Sequence, residues 1–210
     1  MGSDSATAPH PVFARVWARI SGKVGSDRQR SELLQGLDGR VLEVGAGDGR
    51  NFGLYPDTVS EVLAIEPEPY LRGLAGVAAT RVPTAITVLD GTAETLPARD
   101  GEFDAAVTSL VLCSVSSQVR ALAELRRVIR EGGELRFFEH VAAEQSLGRA
   151  LQTGLDESGL WPRLGGGCHL KRETLLAISQ AGFEIEKLRR FSSGPGSMGV
   201  PFVLGTARRA

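Results

Sequence analysis

The sequence predicts an α/β fold: a mostly parallel sheet of seven strands, one of them antiparallel, with helices on both faces. Three observations lead there. Short β-rich runs alternate with helical patterns along most of the 210 residues, which is how βαβ units read. The strand candidates are continuous apolar runs rather than alternating ones, as parallel strands covered on both faces should be. A turn with three glycines, "GAGDG" at 45–49, follows the first of them directly, at the kind of position where an open α/β sheet binds its ligands.

Residues 1–9 are expected to be disordered, and residues 10–36 to form two short helices broken at "SGKVGSD", a helical lid. The first three strands are "RVLEV" (40–44), "EVLAI" (61–65) and "AITVL" (85–89). "FDAAVTSLVL" (103–112) is the fourth and "ELRFFEH" (134–140) the fifth. Between these two, "SQVRALAELRRVIREGG" repeats Val119, Leu122, Leu125, Val128 and Ile129 at helical spacing, with Gly132 and Gly133 closing it. It is the crossover helix that parallel strands require. "KRETLLAISQAGF" is a second helix, with Gly182 where a C-terminal cap belongs. "FEIEKLRRF" and "GVPFVLGTAR" close the chain, and a connection of about seven residues makes them antiparallel. Residues 141–170 break the alternation, are rich in glycine and follow the fifth strand, so they are assigned with 10–36 to the substrate side. Residues 10–210 are expected to be one domain.

Lys+Arg 24 against Asp+Glu 25 leaves a net charge of -1, so no overall basic field gathers nucleic acid or an anionic membrane. No apolar run reaches the roughly 18 residues that cross a bilayer. The opening "MGSDSATAPHP" has neither the basic nor the apolar region of a signal peptide, and position 6 is Ala where myristoylation wants Ser or Thr. A soluble, cytoplasmic protein is expected. Cys113 and Cys168 form neither a disulfide framework nor a C-x-x-C pair, and no metal site is implied. Basic residues are nearly all arginine, lysine occurring only as Lys23, Lys171 and Lys187, which points to a bacterial genome of high GC content.

"VLEVGAGDGRN" (41–51) places its glycines at 45, 47 and 49, with Arg50 where a dinucleotide fingerprint needs its third glycine. No Gly-Lys-Ser/Thr follows, so a P-loop fails as well. Glu43 and Asp48 flank the turn and would repel a pyrophosphate, whereas they suit a ligand bearing an ammonium and a sulfonium. S-adenosylmethionine is that ligand. Glu66 ends the second strand nineteen residues after Gly47, near the spacing of about 20 at which an acid meets ribose hydroxyls. "LDGTAETLP" offers an adenine edge Thr92, the backbone of Ala93, and Glu94, and Ser109 and Leu110 end the fourth strand beside the expected reactive centre.

In these residues the chain resembles the class I S-adenosylmethionine-dependent methyltransferases, over residues 38–140. The resemblance implies a Rossmann-like sheet whose last strand is antiparallel and inserted beside the fifth. It also implies a cofactor frame: Glu43, Gly45, Ala46, Gly47 and Asn51 around the turn, Glu66 and Pro67 after the second strand, Thr92, Ala93 and Glu94 after the third, Ser109 and Leu110 after the fourth. Further likeness lies in "TSLVLCSV", "FFEHVAAE", the "YP" of "NFGLYP" and "GGGCHLKRET", which are similar to segments of the alkyl-thiol S-methyltransferases of the methyltransferase-like group. The chain departs from the animal members in lacking their hydrophobic membrane-anchoring start. Stable membrane insertion is therefore not expected.

Methyl transfer from a sulfonium is an in-line displacement in which proximity and alignment supply most of the rate. A thiol acceptor needs only to become a thiolate, whereas an oxygen or amine asks for a general base. His140, ending the fifth strand, and His169, in "GGGCHLK", are the candidates for a base or acceptor-orienting group. The alternatives are structural: a brace to a neighbouring loop for His140, a helix-start residue for His169. Glu139 either orients His140 or faces a helix. Trp161, Pro162 and Leu164 suit an apolar acceptor wall or domain packing, Phe13 and Trp17 suit a lid, and His10 lies in the irregular start. Cys113 and Cys168 read as small hydrophobes rather than nucleophiles. The expected activity is methylation of a small-molecule thiol, with S-adenosylhomocysteine as by-product. O-, N- or C-methylation of a natural product, phospholipid head-group methylation, a non-catalytic partner subunit and a nucleotide-binding oxidoreductase are the alternatives, and the charge balance disfavours RNA methylation.

Overall fold

The computed structural model describes residues 14, 15, 18, 27–143, 146–159, 161, 167–193 and 200–210. The start at 1–9, His10, Phe13, Trp17, Pro162 and Leu164 lie outside the described residues. Helix α1 (Asp27–Leu34) leads into β1 (Gly39–Val44), a 3-10 turn (Phe52–Leu54), β2 (Val59–Ile65), α2 (Pro69–Ala79) and β3 (Ala85–Leu89). Then follow β4 (Phe103–Ser109), α3 (Gln118–Val128), β5 (Ile129–His140), α4 (Ser146–Glu157), α5 (Thr174–Gln180), β6 (Phe183–Ser193) and β7 (Val200–Arg209).

The seven strands form one sheet in the order β3-β2-β1-β4-β5-β7-β6. The first five are parallel, and β7 lies between β5 and β6, antiparallel to both. The chain steps outward from β1 to β3 and then returns to the other side of β1 with β4. That reversal is the switch point of the sheet, the position at which open α/β sheets hold ligands outside the carboxyl ends of their strands. The register Val44↔Thr108 brings the glycine turn after β1 beside Ser109 and Leu110 after β4.

Helices cover both faces because the buried strands are apolar on both. One core layer joins Phe103, Leu122, Leu125, Phe137 and Ile178, and the other joins Leu33, Leu34, Phe52, Ala75 and Phe138. Phe137 and Phe138 go to opposite layers, as the two-residue period of a strand demands. Each such ring or leucine removed from water contributes about 1.5–3 kcal/mol. The crossover helix α3 buries Ala121, Leu122, Leu125 and Val128 and begins at Ser117, whose side chain accepts the Arg120 N–H.

Two strand boundaries differ most from the sequence expectation. Strand β4 stops at Ser109 rather than 112, because Leu110 takes a left-handed φ of 62° and turns the chain out of the sheet. Strand β5 starts at Ile129, so Gly132 and Gly133 lie inside it instead of closing α3. A Cβ on Gly133 would stand 2.6 Å from the Asp104 carbonyl, so the glycine is needed for the approach of β4. Among the described residues no helix is long and apolar enough to cross a membrane.

Candidate functional site

After β1 the backbone takes three left-handed steps, at Gly45 (φ 72°), Gly47 (58°) and Gly49 (81°), conformations that a Cβ disfavours. Two of these glycines also answer to packing. A Cβ on Gly45 would lie 2.3 Å from Val111 Cγ2, and one on Gly49 would lie 2.8 Å from the Ala78 methyl and 2.9 Å from the Phe52 ring. The turn is clasped between the segment after β4 on one side and α2 with the 3-10 turn on the other. Ala46 is buried within it.

The acids of the turn are less available than the sequence alone suggests. Glu43 is 2% exposed, and its carboxylate accepts from Asn51 Nδ2 (2.8 Å) and from the Tyr55 hydroxyl (2.7 Å). Burial pushes its pKa up to about 7, against the pull of Tyr55, Asn51 and Arg30. Asp48 pairs with Arg50 at 3.1 Å. Arg30, buried on α1, donates to Asn51 Oδ1 (3.0 Å), and the same nitrogen lies 3.5 Å from Ser109 Oγ. A guanidinium therefore stands among the residues expected to frame the cofactor, linked through Asn51 to Glu43.

Glu66 is buried at the end of β2, with Oε2 accepting from Gly47 N–H (2.8 Å) and Oε1 from Glu68 N–H (3.0 Å). Burial raises its pKa against those two bonds. A carboxylate oxygen has room for a second donor, so both remain able to receive hydroxyls. Pro67 is exposed beside it. Thr92 accepts the Thr95 N–H (3.2 Å) in a tight turn around the buried Ala93. Glu94 has structural work: its Oε1 accepts from Ser116 N–H (2.7 Å) and Ser117 N–H (3.2 Å), at the start of α3. Leu110 is the left-handed non-glycine among the described residues, held by donating its N–H to the Phe138 carbonyl (2.8 Å). Such a conformation costs about 1–3 kcal/mol and persists where the surroundings over-determine it.

Glu139 and His140 leave β5 toward opposite faces, so Glu139 does not orient the imidazole. Its fully buried carboxylate accepts from the N–H groups of Val111 (3.1 Å) and Cys113 (3.3 Å), and burial pushes its pKa up to about 7. His140 meets Phe202 edge-on, with ring centroids 5.8 Å apart. It is 3% exposed, and neither ring nitrogen has a hydrogen-bond partner among the described residues, which leaves the brace reading without a bond. Burial pushes its pKa down to about 4, although Asp156 opposes this.

That shift carries a prediction. An unfolded histidine binds its proton below about pH 6.5. The folded imidazole does so only below about 4, so the folded state holds fewer protons in between and the chain loses stability as pH falls through that window. His140→Leu removes the loss. Its stability relative to the parent chain is expected to rise by roughly 2–3 kcal/mol from pH 7 to pH 4. Urea unfolding at both values measures it, and a pH-independent difference would show that His140 is not held neutral by burial.

His169 precedes α5 instead of starting it. Its N–H donates to the Cys113 carbonyl (2.8 Å), and its half-exposed ring places Nδ1 4.0 Å from Asp156 Oδ2. Burial lowers its pKa, with Arg172 adding to the effect and Asp156 opposing it. Asp156, buried on α4, accepts from Leu170 N–H (2.9 Å) and Lys171 N–H (3.0 Å). Its carboxylate lies beside His169 and raises the pKa of both imidazoles against the effect of burial. The Trp161 side chain lies beside Cys168. Sequence reasoning has no handle on Arg30 or Asp156, which sit in ordinary charged helices. Tyr55 was signalled only as half of the "YP" pair.

A family model described as Methyltransferase domain matches residues 42–137, and the chain belongs to the S-adenosylmethionine-dependent methyltransferases. As a member of that family it takes S-adenosylmethionine as its cofactor. More particularly, it is similar to thiol S-methyltransferase TMT1B of Mus musculus, 34% identical over 179 residues that span 82% of this chain and 72% of that one. Thiol S-methyltransferase TMT1A of Homo sapiens is 38% identical over 157 residues, 73% of this chain and 63% of that one. A geranyl diphosphate methyltransferase solved in complex with SAM superposes with a TM-score of 0.69 at 12% identity, over 98% of this chain and 93% of that one, a likeness of fold alone.

Proposed function

We propose that the chain transfers the methyl group of S-adenosylmethionine to the sulfur of a small thiol. The observation that carries the acceptor assignment is the similarity, over 82% and 73% of this chain, to two proteins named thiol S-methyltransferases. The donor set suits the cofactor: a buried guanidinium for a carboxylate, a buried carboxylate with room for hydroxyls, and a turn with acids where a pyrophosphate would be repelled. The bound cofactor supplies a methyl group on an already activated sulfonium.

In this reading Gly45, Ala46 and Gly47 line the methionine tail, with Asn51 and Glu43 behind them and Arg30 facing the carboxylate. Glu66 receives the ribose hydroxyls, with Pro67 beside it. Thr92 and Ala93 border the adenine, and Glu94 acts by holding the start of α3 against them. Ser109 and the left-handed Leu110 bring the end of β4 to the reacting centre. Of the two stretches assigned to the substrate side, the described parts, α1 and residues 141–143, 146–159, 161 and 167–170, wall the acceptor.

The two histidines divide the acceptor's needs. A thiol near pKa 8.5 is only partly ionised at neutral pH. His140, neutral and buried, presents an unpaired ring N–H that orients the acceptor by donating to its sulfur. His169, half-exposed beside Asp156, takes the proton and passes it to solvent. Small thiols, phenols and amines offered with a labelled methyl donor test the reading. The expected products are a methyl thioether and S-adenosylhomocysteine. Methylation of a phenol or amine with no thiol methylated would overturn the sulfur assignment and leave the family membership standing.

A further inference from the structure

The two cysteines, far apart in the sequence, meet in the fold. Cys113 is buried in the turn after β4, where its N–H donates to Glu139 Oε2 (3.3 Å). Cys168 is half-buried on the segment that runs from Gly167 to Arg172. The two stretches of backbone lie against each other: His169 N–H donates to the Cys113 carbonyl (2.8 Å), and a Cβ on Gly167 would stand 3.2 Å from the Ser114 carbonyl. The nitrogen and the oxygen of that bond are each two bonds from the Cα of a cysteine. This keeps the two Cα atoms near the roughly 4.4–6.8 Å that a disulfide spans. Both thiols are free.

We propose that Cys113 and Cys168 are an oxidisable dithiol site, which a hydroperoxide converts to an intramolecular disulfide that fastens the 167–172 segment to the turn after β4. Cys168 is the sulfur that reacts first, since it is the more exposed. The neighbouring Cys113 thiol lowers its pKa, while burial, Glu139 and Asp156 oppose this. Arg172 stands beside both sulfurs, donating to the Leu112 and Val115 carbonyls on either side of Cys113.

In the first step the Cys168 thiolate attacks a peroxide oxygen, the O–O bond breaks, hydroxide leaves as water after taking up a proton, and a sulfenic acid forms. In the second, the Cys113 sulfur attacks that sulfenic sulfur, the S–O bond breaks, and the Cys113 proton leaves with the hydroxide as a second water. Two thiols lose two electrons and hydrogen peroxide is reduced to two waters. A dithiol returns the pair to its starting state. Val111 of the same turn packs against Gly45, so the bond would tie the 167–172 segment to the wall of the glycine turn.

The test is to treat the full chain with hydrogen peroxide, alkylate it under denaturing conditions and map its peptides by mass spectrometry. One cross-linked pair of peptides containing Cys113 and Cys168 is expected, lost after dithiothreitol and absent from Cys113→Ser and Cys168→Ser. The mapping of the parent chain stands by itself should either variant fold poorly. Two alkylated thiols after peroxide, a Cys168 sulfonate without the cross-link, or a disulfide only between two chains would each overturn the proposal. None of these readouts needs cofactor or acceptor, so they are independent of the methyl-transfer reading.

Discussion

Glu139→Leu is expected to lower the folding stability of the chain by about 2–4 kcal/mol and to sharply reduce methyl transfer. The carboxylate is fully buried and takes the N–H groups of Val111 and Cys113. Leaving a buried donor unpaired costs about 1–3 kcal/mol. Relief from burying an acid whose pKa already stands at about 7 offsets part of that. The damage should reach the site because the freed turn carries Leu110 in its left-handed conformation and Val111 against Gly45. Glu139→Gln keeps one accepting oxygen and is expected to fall between the two. Urea unfolding and kcat/KM together check this. A parental midpoint for Glu139→Leu would mean that the turn holds itself without the carboxylate.

Glu66→Ala is expected to weaken binding of S-adenosylhomocysteine by about 1–3 kcal/mol, or roughly five- to 150-fold in Kd, for the loss of a buried charge-assisted hydrogen bond. The side chain also holds the Gly47 and Glu68 N–H groups, so some of the loss will come from a loosened glycine turn. Glu66→Gln separates the contributions, since it preserves an acceptor for part of the turn while removing the charge. Calorimetric titration gives both numbers. Unchanged affinity in Glu66→Ala would place the ribose elsewhere.

The parallel strands and the crossover helix were legible because burial on both faces writes a continuous apolar run, and burial on one helical face writes a 3.6-residue period. The glycine turn was legible too, but its reason was only half visible. Gly45 and Gly49 make room for Val111 and Ala78, partners far away in sequence. Glu94 reads as a ligand contact in the string, yet its carboxylate holds the start of α3, because a helix N-terminus from elsewhere arrives there. Glu139 and His140 are adjacent letters, and only the alternation of β5 sends one to the turn after β4 and the other to Phe202.

By itself the sequence determined the order of the strands and a cofactor that tolerates acids and lacks a pyrophosphate. Those properties follow from periodicity, spacing and charge, all local in the chain. The tertiary structure alone decided that Arg30 stands over Asn51 and Ser109, that Asp156 lies beside His169, and that Cys113 and Cys168 are neighbours. Each of these is a pairing between residues brought together by the packing of α1, α4 or the 167–172 segment onto the sheet. No local pattern records such a pairing, because the free energy that selects it belongs to the folded surface and not to either stretch of chain.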